Sequence, residues 1–208
     1  ELFKEEQAAA MYRAGFRWLL TGFESGDERI LKNIKKMASR DDNTRAIEIA
    51  KKHNLKVKAL MSIGHAGESF ETIENTKSWL LETQPEEFDC TIITTYPGSP
   101  YFDDAVKQKD GTYTYTSDIT GDRLHQSCID YLSELDYYKG DPEGGYVSYV
   151  WTDNISAEDL VFARDSLEKE VRKALNIKFN PANPAAKYEH SMGMGNADIP
   201  RFILKESK

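Results

Sequence analysis

The sequence predicts an α/β protein, a partial (β/α) TIM-like barrel of three βα units with a C-terminal α+β appendage and an irregular tail. Three apolar runs share one plan, each closing on a Gly-containing or polar loop ahead of a helical pattern. Arg17 to Phe23 leads into Glu24-Ser25-Gly26. Val57 to Ile63 leads into Gly64-His65-Ala66-Gly67-Glu68, and Phe88 to Thr95 into Tyr96-Pro97-Gly98-Ser99-Pro100. The starts of the runs are roughly 30–40 residues apart, the length of one strand plus its crossover helix. The second run scarcely alternates past Lys58, as expected of a strand buried on both faces of a parallel sheet. In barrels built this way, the loops after the strands carry the chemistry.

Each element has a local reason. Phe3, Gln7, Ala10, Met11 and Ala14 recur at helical spacing, with Gly15 at the C-terminal cap. After the strand at 17–23, Ser25 followed by Glu28 reads as a capping box that starts a helix near Asp27, with Ile30, Leu31 and Ile34 as its apolar side. A second helix spans roughly 42–53, turns Ala46, Ile49, Ala50 and His53 inward and ends at Asn54, a residue that tolerates the left-handed cap. The strand at 57–63 is followed by a helix with Phe70, Ile73, Lys77, Leu80 and Leu81 on one stripe, stopping before Pro85. The strand at 88–95 is rich in β-branched residues.

Beyond residue 104 the pattern changes. Asp110-Gly111 turns into a short strand at 112–116. Residues 146–151 alternate and are expected to pair with 128–132 as an antiparallel appendage. Ser156 and Asp159 open a helix with the stripe Leu160, Ala163, Leu167, Val171 and Ala174. From Asn176 the Pro and Gly content predicts an irregular tail. The division expected is therefore 1–104 for the partial barrel, 105–175 for the appendage and 176–208 for the tail.

Composition narrows the function. A net charge of −8 argues against binding to nucleic acid or to an anionic membrane surface. No run approaches the ~20 apolar residues that span a bilayer. Cys90 and Cys128 are the two cysteines, too few for a disulfide framework or a Cys₃ or Cys₄ metal site; a reducing cytoplasm suits them. His125 and Cys128 could share a helical face and bind a metal, but without a second pair a packed cysteine is the simpler reading.

The segments Gly22-Phe23-Glu24-Ser25-Gly26, Ile30-Leu31, Lys35-Lys36, Gly64 through Glu68, and Tyr96-Pro97-Gly98-Ser99-Pro100 together carry a resemblance. Their order and spacing resemble the second half of the catalytic barrel of radical S-adenosylmethionine (radical SAM) enzymes, most closely the subgroup with a cobalamin-binding domain ahead of the barrel. The resemblance covers roughly residues 8–104. His65-Ala66 replaces the usual apolar-Pro pair and Ser99 the usual Thr. The family's Cys-x₃-Cys-x₂-Cys loop, which binds a [4Fe–4S] cluster, does not occur in these 208 residues.

The resemblance implies that Glu24 faces the S-adenosylmethionine ribose or amino-acid part, and that Ser25, Gly64, Gly67 and Ser99 lie against the same cofactor. It leaves His65 as a candidate for substrate contact or proton transfer, beside the plainer reading of an exposed loop histidine. Each has a structural alternative. Glu24 sits near a helix N-terminus, which favours a carboxylate; Ser25 reads equally as a cap. Gly64 and Gly67 allow a tight loop, Glu68 reads as a helix-start residue, and Ser99 belongs to a rigid turn. Tyrosines at 113, 115, 131, 137, 138, 146 and 149, with Trp151, read first as sheet packing and second as a cavity lining.

The resemblance thus implies a fragment of an enzyme that cleaves S-adenosylmethionine at a [4Fe–4S] cluster to modify an unactivated carbon of a small molecule. Cobalamin-dependent methyl transfer or rearrangement is one form of that chemistry. The cluster ligands and the cobalamin domain would belong to the remaining N-terminal part of the enzyme, so the chain alone is expected to be inactive and to self-associate. Two other readings stand beside it: a (β/α)-barrel hydrolase using Glu24 and Glu68 as an acid–base pair, and a non-catalytic self-associating module.

Overall fold

The structure, a computed structural model, describes residues 3–129 and 147–178. The expected tyrosine positions 131, 137, 138 and 146, and the tail from 179 onward, lie outside the described residues. In chain order the elements are α1 (Glu5–Arg13), β1 (Trp18–Glu24), α2 (Glu28–Asn33), α3 (Arg40–Lys52), β2 (Lys56–Ile63), α4 (Phe70–Thr83), β3 (Glu87–Ile92) and α5 (Pro100–Asp103). They continue with β4 (Val106–Lys107), β5 (Tyr113–Thr116), β6 (Arg123–Gln126), β7 (Val150–Thr152) and α6 (Ala157–Leu175).

The three expected strands form one parallel sheet in the order β1-β2-β3, with Leu19 opposite Val57 and Ala59 opposite Phe88. Their C-terminal ends therefore share one edge. The third strand stops at Ile92 rather than Thr95, because after the Ile93 N–H to Ile63 carbonyl bond the chain leaves for the second sheet, where Thr95 pairs with Gln126. That second sheet is antiparallel, β4-β5-β6-β7. Its third strand is Arg123–Gln126, so the strand around 150 pairs a few residues earlier than residues 128–132, with His125 opposite Trp151.

The helices differ from the pattern where a small or polar residue is buried. Ala8, not Gln7 or Ala10, is the buried residue of α1. Ile47 and Asn43 join Ala50 inside α3. Trp79 is the largest buried side chain of the core: it meets Phe23 edge-on at 5.3 Å and donates through Nε1 to Thr44 Oγ1 at 2.9 Å. Phe70, by contrast, is half exposed at the first turn of α4. The α2 cap also differs. Asp27, not Ser25, is the N-cap, and its carboxylate accepts from the Arg29 and Ile30 amides.

A buried polar ladder joins strand β3 to the C-terminal helix α6. In a strand, alternate residues send their amide and carbonyl to opposite neighbours, so Phe88 and Cys90 turn backbone groups away from β2. Buried and unpaired, these would cost about 1–3 kcal/mol each. Helix α6 satisfies them with side chains. The Cys90 N–H donates to Glu168 at 2.7 Å, Arg164 Nε donates to the Cys90 carbonyl at 2.8 Å, and Arg172 donates to the Phe88 carbonyl at 2.6 Å. Arg172 Nε also donates to Glu168 at 2.6 Å, and its other arm to Glu87 at 2.7 Å. Arg164, Glu168 and Arg172 are each at most 2% exposed. Burial pushes the Glu168 carboxyl up from its ordinary value, opposed by the two guanidiniums.

Glu168→Ala should therefore remove one carboxylate partner from each of two buried guanidiniums and the acceptor of the buried Cys90 N–H, at a cost of about 3–5 kcal/mol. Urea unfolding of the variant checks this, and a loss below 1 kcal/mol would mean that water replaces the carboxylate.

Candidate functional site at the strand ends

Three loops meet where the parallel strands end. The first begins with a register break between Gly22 and Glu24, which leaves Glu24 at φ 67°. The break turns the Glu24 carboxylate across the sheet end, where it accepts from Ser62 Oγ at 2.8 Å and lies 3.5 Å from Lys36 Nζ. Lys36 also donates to the Gly22 carbonyl at 2.6 Å. The Glu24 side chain stays one-third exposed (33%). Ser25 turns the other way: it is 1% exposed, bonded to Thr76 Oγ1 at 3.0 Å and accepting from the Asp27 amide at 3.1 Å. Gly26 lies against α4, where an added Cβ would stand 2.5 Å from Trp79 Cβ and 2.9 Å from Thr76 Cα.

The second loop is tied down from inside. Gly64 and Gly67 have φ values of 91° and 85°, where L side chains are strained. A Cβ on Gly67 would also lie 2.5 Å from Asp122 Oδ2. Glu68, 1% exposed, accepts from the Gly64 amide at 3.0 Å and from Thr72 Oγ1 at 2.5 Å. It clamps the loop one residue before the N-cap Ser69. His65, which the sequence reads as an exposed loop residue, is 7% exposed. Its Nε2 meets Ser62 Oγ at 2.8 Å and its Nδ1 meets the Tyr101 hydroxyl at 3.4 Å.

The third loop reaches the other two through Tyr101. Ser99 donates to the Tyr96 carbonyl at 2.7 Å, and Gly98 takes φ 88° in the turn before it. Tyr101 packs edge-on against Tyr115 of β5 at 4.8 Å, and its carbonyl accepts from Gln126 of β6 at 3.1 Å. Tyr113 stacks on Phe102, so the described tyrosines of β5 serve packing. The structure thus brings Glu24, Ser62, His65 and Tyr101 into one hydrogen-bonded row. Ser62 and Tyr101 went unnoticed in the sequence, although Ser62 is the one polar side chain inside the run from Ala59 to Ile63.

A second cluster braces the rim from below the loops. Asp122 accepts from Arg29 at 2.7 and 2.5 Å, Asn33 at 2.8 Å and Thr120 at 2.7 Å. Hydrogen bonding from Arg29 holds its carboxyl down at about 2. Asn33 also donates to the Ala66 carbonyl at 2.7 Å, so α2, the Gly64–Gly67 loop and the second sheet meet at one side chain. His125 lies on strand β6, not on a helix, between Thr114 and Asp153, and Cys128 is exposed rather than packed. Among the described residues no three His, Cys, Asp or Glu side chains cluster to hold a metal.

Burial acts oppositely on the two titratable groups of the second loop. It pushes Glu68 up to about 7 and His65 down to about 4. Folded Glu68 keeps its proton between 4.5 and about 7, where the unfolded chain has lost it, so stability falls as pH rises through that window. Folded His65 stays neutral below 6.5, where the unfolded chain takes up a proton, so stability falls as pH drops from 6.5 to about 4. Glu68→Gln should therefore gain stability relative to the parent as pH rises from 4.5 to 7. Urea titrations at several pH values test this, and a difference that does not vary with pH would mean that Glu68 is ionised throughout.

Residues 1–80 match the family model described as the radical SAM superfamily. The bacteriochlorophyllide d C-12(1)-methyltransferase of Chlorobaculum tepidum is 27% identical, over 72% of this chain and 36% of that protein. An uncharacterized methyltransferase of Pyrococcus horikoshii is 31% identical, over 50% of this chain and 23% of its own length. The chain thus spans about a quarter to a third of the length of these relatives. Among solved structures, the radical S-adenosylmethionine methyltransferase TsrM from Kitasatospora setae, with cobalamin and a [4Fe–4S] cluster bound, overlays with a TM-score of 0.49 at 18% identity. The overlay covers 57% of this chain and 25% of that one. Over residues 1–80 the chain is thus similar to the radical SAM superfamily of enzymes.

Proposed function

We propose that the chain supplies part of a radical SAM barrel, with its strand-end rim as one wall of the S-adenosylmethionine site of a methyltransferase-type enzyme. The single observation that carries this is the Glu24 carboxylate, one-third exposed at the strand ends and oriented by Ser62 and Lys36. A carboxylate in that position suits the hydroxyls of a ribose or a ligand ammonium group. When bound, S-adenosylmethionine would supply an activated methyl group or a carbon radical for an unactivated position of a small substrate. This chain's part is to bind and orient: Glu24 accepts, Gly64 and Gly67 keep the second loop low, and Glu68 fixes that loop from beneath.

The residues present do not fit an iron–sulfur cluster. Cys90 is fully buried in strand β3, with its thiol pushed up by burial, and Cys128 is exposed just after β6. The cluster's thiolates, and any cobalamin site, would belong to other parts of the protein. A cytoplasmic setting suits both free cysteines. The hydrolase reading loses its second carboxylate, because Glu68 is turned into its own loop. Self-association would use the outer edge of β1, which has no ladder partner among the described residues; that of β3 is occupied by α6.

Calorimetric titration with S-adenosylmethionine tests the reading. The parent chain should bind, and Glu24→Ala should weaken binding about tenfold or more, the worth of a charge-assisted hydrogen bond. Equal affinity in parent and variant would remove Glu24 from the site. Anaerobic reconstitution with iron and sulfide should leave the 208-residue chain without a stable [4Fe–4S] cluster, which conventionally needs thiolates; the visible absorbance of a stoichiometric cluster would contradict this.

A further inference from the structure

The row of hydrogen bonds at the rim has a fixed direction. Ser62 Oγ–H donates to the Glu24 carboxylate at 2.8 Å. The Ser62 oxygen is then the acceptor for His65 Nε2 at 2.8 Å, and Nε2 carries the imidazole proton. Nδ1 of the neutral ring is left bare and accepts from the Tyr101 hydroxyl at 3.4 Å. The Tyr101 oxygen in turn accepts from the Ala66 amide at 3.4 Å. Every donor in the row points toward Glu24, with Lys36 closing the far side.

We propose that His65 is a positioning residue: braced by Tyr101 and held as the Nε2–H tautomer, it fixes Ser62 as a donor and so sets the Glu24 carboxylate for a ligand at the rim. The inference rests on Glu24 being the ligand-facing carboxylate proposed above. Both ring nitrogens are used in a site that is 7% exposed, so the imidazole does more than fill space. A purely apolar side chain would occupy the same volume and leave the Ser62 hydroxyl free to turn from Glu24. Tyr101 is itself held by Tyr115 and Gln126, so the second sheet sets the far end of the row. The low proton affinity that burial gives His65 keeps the ring neutral near neutral pH.

Two variants separate a donor from a filler. H65Q places an amide N–H near the position of Nε2, whereas H65M keeps the bulk without a donor. Long-range ¹H–¹⁵N spectra of the parent at pH 7 should show His65 with a protonated Nε2 and a bare Nδ1. Affinity for S-adenosylmethionine should stay within about threefold in H65Q and fall about tenfold in H65M, the two melting within a few degrees of each other. Y101F, which removes only the brace, should give an intermediate loss and keeps the test open if H65M fails to fold. An Nδ1–H tautomer, or H65M binding as tightly as the parent, would overturn the proposal. If the parent chain itself does not bind S-adenosylmethionine, the assignment of the rim fails instead. The tautomer, with nuclear Overhauser contacts between Glu24 and Ser62 kept in H65Q and lost in H65M, then decides the positioning role alone.

Discussion

The free edge of β3 is the constraint on which the rest depends. A parallel strand with a neighbour on one side only has backbone groups that must find partners elsewhere or stay hydrated. Here they are buried, and three charged side chains one helical turn apart on α6 do what a fourth strand would do. Substituting side chains for a ladder has a structural effect. A strand pairs at any register that suits its pleat, whereas Arg164, Glu168 and Arg172 match only the Phe88 and Cys90 groups. The helix is locked along the strand as well as against it.

The ladders between β1, β2 and β3 set the strand ends side by side, and the rim lies on that edge. Glu24 reaches Ser62 because one extra residue at the end of β1 shifts the register and turns the carboxylate inward. Glu68 can hold the second loop because it lies just ahead of the N-cap of α4, whose first turn also supplies Thr72. Asp122 and Asn33 then tie the second sheet to the loops from outside. Polar groups of the rim are largely satisfied within the chain, and Glu24 and Lys36 each keep about a third of the side chain exposed.

The strands, their order and the three loop positions were legible in the sequence, because apolar runs ending in Gly-rich turns leave few other folds. What was not legible depends on partners far apart in sequence. The polar ladder on α6 shares its helix with the apolar stripe, and the stripe alone does not point to Arg164, Glu168 and Arg172. Ser25 satisfied a local capping rule, yet Asp27 caps, because Thr76 of α4 draws the Ser25 hydroxyl inward. His65 looked like an exposed loop residue since nothing local announces Tyr101, 36 residues on. Trp79 was passed over because the stripe was drawn one position away from it.

Gly26 shows what close approach does to variation over evolutionary time. Its backbone angles lie within the range open to other residues, unlike those of Gly64 and Gly67, so shape of the chain does not demand glycine there. Space does: the nearest obstacles are Trp79 Cβ and the backbone of Thr76 and Asn75, which no rotamer change can move aside. A side chain at position 26 could be admitted only by drawing α4 away from the first loop, which would also part the Gly26 amide from the Thr76 hydroxyl. Homologous chains should therefore drift at this point in concert, positions 26, 76 and 79 changing together or remaining as they are.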